Sequence, residues 1–323
     1  MPKITPDMIH PDIRKKAKSI KTSQTFSLRQ IKLMKLSCRL LRGHHSPGMR
    51  YAQKRIISPS GGRLRLCVYT PKKKKENVAG LLWIHGGGYA FGIPEQDDIF
   101  YKRFLLENTA VIVAPDYTLS PDKPYPAALE DCYAALLWLK ENGESFGMRS
   151  DQIFIGGTSA GGGLTAALSM YARDKAEAAI AFQMPLYPMI DDRLTPSSTD
   201  NNAPVWNSAL NEGAWRLYLG DYYSKSDIPA YAVPARAKNY KGLPPACSFV
   251  GSIDPFRDET SSFINMLRET GTPVHYKIFD GCFHAFDQMC PDANITKQAI
   301  SFLMENYRYA VNNYFAPQPS RRD

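Results

Sequence analysis

Residues 153–164 read Ile153-Phe154-Ile155-Gly156-Gly157-Thr158-Ser159-Ala160-Gly161-Gly162-Gly163-Leu164. A short apolar run leads into a G-x-S-x-G pattern, and a helix-like run, Leu164 to Tyr171, follows it. This is the pattern of a serine on a sharp strand-to-helix turn, where the backbone is strained and flanking side chains would collide with neighbouring elements. The new helix points its free N–H groups and positive dipole end at the serine, which favours an oxyanion nearby. Alone the pattern is weak, since chance produces it in roughly one chain in ten of this length. A glycine-rich turn without chemistry is the competing reading, and the rest of the chain decides between the two.

Upstream, Val78 to Ile84 is a near-continuous apolar run, as expected of a strand buried on both faces of a parallel sheet. It runs directly into His85-Gly86-Gly87-Gly88-Tyr89. Three successive glycines let backbone N–H groups face an open space, which is what an oxyanion hole needs. His85 reads as a structural histidine that pins this loop. Ala110 to Tyr117, Ala178 to Tyr187, Ala246 to Val250 and Val274 to Phe279 read as further strands, and helical stretches alternate with them to the end of the chain. The alternation predicts an α/β fold, a doubly wound and mostly parallel sheet. Before it, Arg55 to Ser58 and Arg63 to Thr70 form a hairpin around Pro59-Ser60-Gly61-Gly62.

In such sheets functional residues gather at the carboxyl ends of the strands. Ser159, Asp254 and His284 all fall there, in the order serine, aspartate, histidine. A serine hydroxyl needs an adjacent base; an imidazole serves, and a carboxylate fixes its tautomer. Of six histidines, His10, His44 and His45 lie in the N-terminal appendage, His275 within a strand and His85 on the glycine loop, which leaves His284. For the acid, Asp254 stands nearest a strand end and ranks first. Asp258 reads as a helix cap, and Asp280 and Asp287 flank His284.

The 323 residues carry 44% apolar and 22% charged residues, ordinary for a globular protein. The six cysteines are scattered singly, with neither zinc-site nor disulfide spacing, and no signal-peptide core is present; a cytoplasmic enzyme without metal or cofactor is expected. The net charge of +9 is uneven. Residues 1–50 hold 12 Lys+Arg against 2 Asp+Glu, and the remainder holds 28 against 29. A neutral main body argues against nucleic-acid binding. Leu28 to Arg42 reads as a helix with an apolar stripe (Leu28, Ile31, Met34, Cys38, Leu41), widened by Leu33, Leu36 and Leu40, beside a basic stripe. Packing on its own domain with a solvated cationic face is the favoured reading, ahead of contact with an anionic membrane surface. Asp191 to about Tyr240 has no clear strand and reads as an insertion over the core. Its Trp206 and Trp215, with Tyr89 beside the glycine loop, are candidate substrate-pocket residues, although packing of a cap on the core accounts for them equally well.

Taken together, the sequence resembles the bacterial hormone-sensitive-lipase-like esterases over roughly residues 60–310. The matching pieces are His85–Gly88, Gly157–Gly161, the D-P-F-R-D-E run from Asp254 to Glu259, and Gly281-x-x-His284. Asp116 to Asp131 resembles a further family stretch, with Thr118, Ser120 and Asp122 departing from it in a structural loop. The resemblance implies an α/β-hydrolase core, residues 51–190 and 241–323, and a mainly helical cap, residues 1–50 and 191–240. It implies Ser159 as nucleophile, His284 as base, Asp254 as acid, and an oxyanion hole of the Gly87, Gly88 and Ala160 N–H groups. It also implies a small-molecule ester substrate of short to medium acyl length, and a homodimer as one option. An amidase, lactonase or deacetylase with the same triad is the alternative. A non-catalytic receptor on this fold, as in the plant gibberellin receptors, is remote because His284 is present.

Overall fold

Helices α1 (Pro11–Ser19) and α2 (Leu28–Arg39) precede a hairpin of β1 (Met49–Ile57) and β2 (Arg63–Pro71), paired antiparallel with Ile57 opposite Arg63. The hairpin opens an eight-stranded sheet completed by β3 (Val78–Ile84), β4 (Ala110–Asp116), β5 (Met148–Thr158), β6 (Phe182–Leu186), β7 (Ala246–Gly251) and β8 (Val274–Phe279). The strand order is β1-β2-β4-β3-β5-β6-β7-β8, and every pair from β4 to β8 is parallel. The structure is a computed structural model and describes residues 3–107 and 110–320.

Every residue of β3 is buried, because helices cover both faces of the sheet. Side chains alternate along a strand, so Leu81 and Trp83 enter one apolar layer while Leu82 and Ile84 enter the other. The first layer is filled by α3 (Asp98–Leu106) and by α9 (Asn294–Asn313), through Phe104, Leu303 and Tyr307. The second is filled by α4 (Ala127–Asn142) and α5 (Ala160–Lys175), through Leu136, Leu139 and Leu164. Helix α7 (Arg257–Glu269) lies between β7 and β8, and the single turn α8 (Phe286–Met289) follows β8.

The N-terminal residues are more deeply embedded than a cap assignment for 1–50 suggests. Ile4, Ile9, Ile13 and Ala17 belong to the same apolar cluster as Phe283 and Ile295. Asp12 accepts a hydrogen bond from the Ile295 N–H at the start of α9. Helix α2 sits on the body through buried Ile31 and leaves Arg29, Lys32 and Arg39 exposed, as expected of a solvated cationic face. Lys35 pairs with Asp122 and Arg42 with Asp116, while Leu33, Leu36 and Leu40 point outward. The 191–240 segment contains no strand and one full helix, α6 (Ser208–Leu219). It is tied to the N-terminal segment: the Val205 N–H donates to Thr22 Oγ1 at 2.9 Å, and Asn207 Nδ2 to the Ser23 carbonyl at 3.0 Å. Among the described residues no helix is long and apolar enough to cross a membrane.

Candidate active site

Ser159 stands between β5 and α5 with φ 56° and ψ −120°, a conformation that L-residues rarely adopt. Its N–H donates to the Leu186 carbonyl (3.0 Å) and its carbonyl accepts from Met189 (3.1 Å), so the strained turn is fastened from both sides to the chain leaving β6. The flanking glycines follow from close approach. A Cβ at Gly161 would lie 2.0 Å from the Ile84 carbonyl oxygen, and one at Gly157 would lie 2.4 Å from the same atom. The turn is wedged against the end of β3, and that contact places the serine beside the glycine loop.

The Ser159 Oγ is 2.9 Å from His284 Nε2, and His284 Nδ1 is 2.8 Å from Asp254 Oδ2. The carboxylate needs the proton on Nδ1, which leaves the Nε2 lone pair toward the hydroxyl. The other Asp254 oxygen accepts from the Phe256 N–H at 2.8 Å, so the carboxylate cannot turn away. Asp254 and His284 are buried. Asp258, the rival acid, faces elsewhere: it accepts from the Ser197 N–H at 2.8 Å and pairs with Arg257. Asp287 accepts from the Tyr187 hydroxyl at 3.1 Å, and Asp280 from Ser252 Oγ at 2.9 Å.

The glycine loop leaves β3 directly opposite. Gly87 (φ 124°) and Gly88 (φ 56°) occupy backbone regions that favour glycine. A Cβ at Gly87 would meet the Phe91 carbonyl oxygen at 2.0 Å, and one at Gly88 would meet the Trp206 ring at 2.5 Å. Among the described residues the N–H groups of Gly87, Gly88 and Ala160 donate to no acceptor. His85 does pin this loop, as its sequence context suggests. It is stacked on Tyr117 at 4.2 Å, its Nδ1 is 2.8 Å from the Gly86 carbonyl oxygen, and burial holds its pKa down at about 4. A neutral imidazole therefore donates from Nδ1, a structural bond.

A cavity of about 150 Å³ opens at Ser159, walled by the glycine loop, Phe91, Tyr187, Trp206, His284 and Met289. Trp206 is thus brought to the site. The other two candidate pocket residues are not. Tyr89 is buried, donates its hydroxyl to the Met189 carbonyl at 2.6 Å and stacks on Tyr218; Trp215 is buried against that same pair. Both fasten α6 to the core. Their burial follows from packing that no local pattern encodes. Sequence reasoning also missed Tyr187, whose ring meets the His284 ring edge-on at 5.1 Å. Its position just past the end of β6 was the available signal, since the other site residues occupy equivalent places.

Three buried carboxyl groups surround the site without joining it. Glu259 accepts from the Ile190 and Asp191 N–H groups, and burial raises its pKa well above the usual range. Burial pushes Asp287 up to about 6, and Asp97, which accepts from Trp83 Nε1 at 2.8 Å, up to about 7. These groups brace the loops behind the reacting atoms.

Ser159, Asp254 and His284, in that chain order on the carboxyl edge of this sheet, define an α/β-hydrolase. The comparisons with known proteins agree. At the sequence level the chain is 33% identical over 232 residues to esterase LipI of Mycobacterium tuberculosis, covering 71% of this chain and 72% of LipI. A bacterial heroin esterase superposes with a TM-score of 0.87 at 27% identity, covering 95% of this chain and 99% of that one. Esterase LipW of Mycobacterium marinum superposes with a TM-score of 0.82 at 26% identity, covering 95% and 96%. A family model described as the alpha/beta hydrolase fold matches residues 81–288, and the chain belongs to that family, in its hormone-sensitive-lipase-like esterase branch.

Proposed function

We propose that this ester hydrolase works through an acyl-enzyme formed on Ser159. His284 Nε2 takes the hydroxyl proton as Oγ attacks the ester carbonyl, and Asp254 stabilises the imidazolium that results. The tetrahedral oxyanion is held by the N–H groups of Gly87, Gly88 and Ala160, the last lying at the positive end of α5. His284 then returns the proton to the departing alkoxide, and water enters by the same steps in reverse to release the acid. The observation that carries the reading is the continuous chain from Asp254 to His284 to Ser159 at 2.8 and 2.9 Å. No step needs a metal or cofactor.

The substrate is an ester of short to medium acyl length. The 150 Å³ cavity at Ser159 holds the volume of roughly five water molecules at about 30 Å³ each, enough for a small acyl group. Val205 and Met289 also line a neighbouring apolar groove of about 390 Å³, which offers a longer chain somewhere to go. Residues 191–240, with the N-terminal segment bonded to them, act as the cap that bounds this space. Six free cysteines, five of them buried, suit a reducing cytoplasm.

Hydrolysis of p-nitrophenyl esters of increasing acyl length, in wild type and Ser159→Ala, tests the proposal. Serine-dependent turnover peaking at short to medium chains supports it. Serine-dependent turnover confined to amides, lactones or acetylated sugars would reassign the leaving group, and turnover that survives in Ser159→Ala would remove the nucleophile.

A further inference from the structure

Helix α2 turns apolar residues to solvent. Leu33, Leu36 and Leu40 stand three and four positions apart, so they share one face of the helix. They are 59%, 58% and 85% exposed. An amphipathic helix normally faces such residues inward, and a contiguous apolar row at the surface marks an interaction site.

What flanks the row identifies the partner. On one side Lys35, Arg39 and Arg42 line an open cavity of about 520 Å³, shared with the β1–β2 hairpin and residues 116–123. Seven lysines and arginines line it against two aspartates. Asp122 engages Lys35, and Asp116 engages both Arg42 and Arg65. Arg39, Arg55 and Arg63 have no carboxylate partner among the described residues. On the other side Leu33 and Met34 line the apolar groove that shares Val205 and Met289 with the catalytic cavity.

The geometry points to α2 as a docking face for an anionic lipid surface. The leucines enter the boundary between headgroups and acyl chains, and the basic cavity receives a lipid phosphate. Charge selects this occupant over a second copy of the chain. Residues 1–50 carry 12 basic against 2 acidic residues, so two copies meeting through α2 would oppose those charges, whereas an anionic surface neutralises them. The arrangement also gives the groove a purpose. Leu33 of the docked face lines it, so an ester dissolved in the lipid would enter toward Ser159 from there.

Co-sedimentation of the full chain with vesicles tests the assignment, comparing pure phosphatidylcholine with equal parts phosphatidylcholine and phosphatidylglycerol. Binding to the anionic vesicles alone is expected, weakening as salt is added. A Leu36→Ser/Leu40→Ser variant should lose at least tenfold in vesicle affinity, and Arg39→Gln or Arg55→Gln about fivefold each. Hydrolysis of a short water-soluble ester should be unchanged in all three, which verifies their folding. Ser159→Ala protein should bind vesicles like wild type, since docking does not depend on hydrolysis. Failure to sediment with anionic vesicles overturns the inference. So does binding that the leucine variant retains, or a leucine variant that changes only the oligomeric state in solution.

Discussion

The His10 N–H donates to the Gly281 carbonyl oxygen at 2.9 Å, which bonds the start of the chain to the loop that carries His284. Gly281 has φ 63°, and a Cβ there would lie 2.5 Å from that same His10 nitrogen. Gly281→Ala therefore strains the backbone and pushes the N-terminal segment away at once. We expect a loss of about 1–3 kcal/mol in stability and a drop in kcat of about tenfold, with KM less affected, because His284 loses its support. Melting curves and ester kinetics on the variant check this. Wild-type values for both would mean that the N-terminal brace does not hold the histidine loop.

The two aspartates of the run 254–258 separate cleanly. Asp254 bonds His284, and Asp258 bonds the Ser197 N–H and Arg257. Asp254→Asn keeps the shape but stabilises the wrong imidazole tautomer, so kcat should fall about ten-thousandfold. Asp258 caps no helix, since Phe256 precedes α7 without a side-chain cap, so Asp258→Asn should cost about 1 kcal/mol of stability for the weakened bond from the Ser197 N–H and leave kcat within a fewfold of wild type. The reverse ranking would transfer the acid role.

Gly88 has no room for a side chain, with the Trp206 ring 2.5 Å from a would-be Cβ. Gly88→Ala must displace either the tryptophan or its own N–H. If that N–H is an oxyanion donor, kcat should drop by about a hundredfold or more. A slow-binding phosphonate or boronate inhibitor, which places an oxyanion at the same point, should lose affinity in parallel. A variant that loses turnover yet binds such an inhibitor as tightly as wild type would show that the damage lies in the pocket wall.

How far the sequence could be read depends on the range of the interaction behind each feature. Val78–Ile84 and Val274–Phe279 are strands at the residues read for them, because burial and chain-end turns leave local signals. The meeting of Ser159, Asp254 and His284 was legible for a similar reason: strand ends are marked by glycine and proline, and few candidates compete there. Helix α3 and strand residues Met49–Lys54 were not read, the latter because an exposed edge strand has no apolar alternation. Tyr89 and Trp215 show the limit for pockets. An aromatic next to a catalytic loop looks the same in sequence whether its ring faces substrate or, as here, Tyr218. The outward turn of Leu33, Leu36 and Leu40 was illegible too, since it depends on which side of α2 meets the body, through Ile31 and the distant Lys35–Asp122 pair.

Asp97 and Asp287 give the fold a pH dependence whose sign can be worked out. Their folded pKa values, about 7 and about 6, lie above the ordinary 3.8, with burial the leading cause for both. The folded chain therefore keeps these protons longer than the unfolded chain. Their contribution is complete below about pH 4 and is lost as pH rises through about 6 to 7. For Asp287 the gap corresponds to about 3 kcal/mol. His85, held down at about 4, acts oppositely and loses stability as pH falls below about 6.5. Asp287→Asn removes one charge but retains a carbonyl that can accept from Tyr187, and it leaves His85 unchanged. Unfolding by urea at about pH 5 and about pH 8 should show wild type losing about 1.4 kcal/mol more stability across that interval than the variant, the rest of the effect falling below about pH 5. Equal changes in the two proteins would mean that Asp287 is already ionised in the fold at about pH 5.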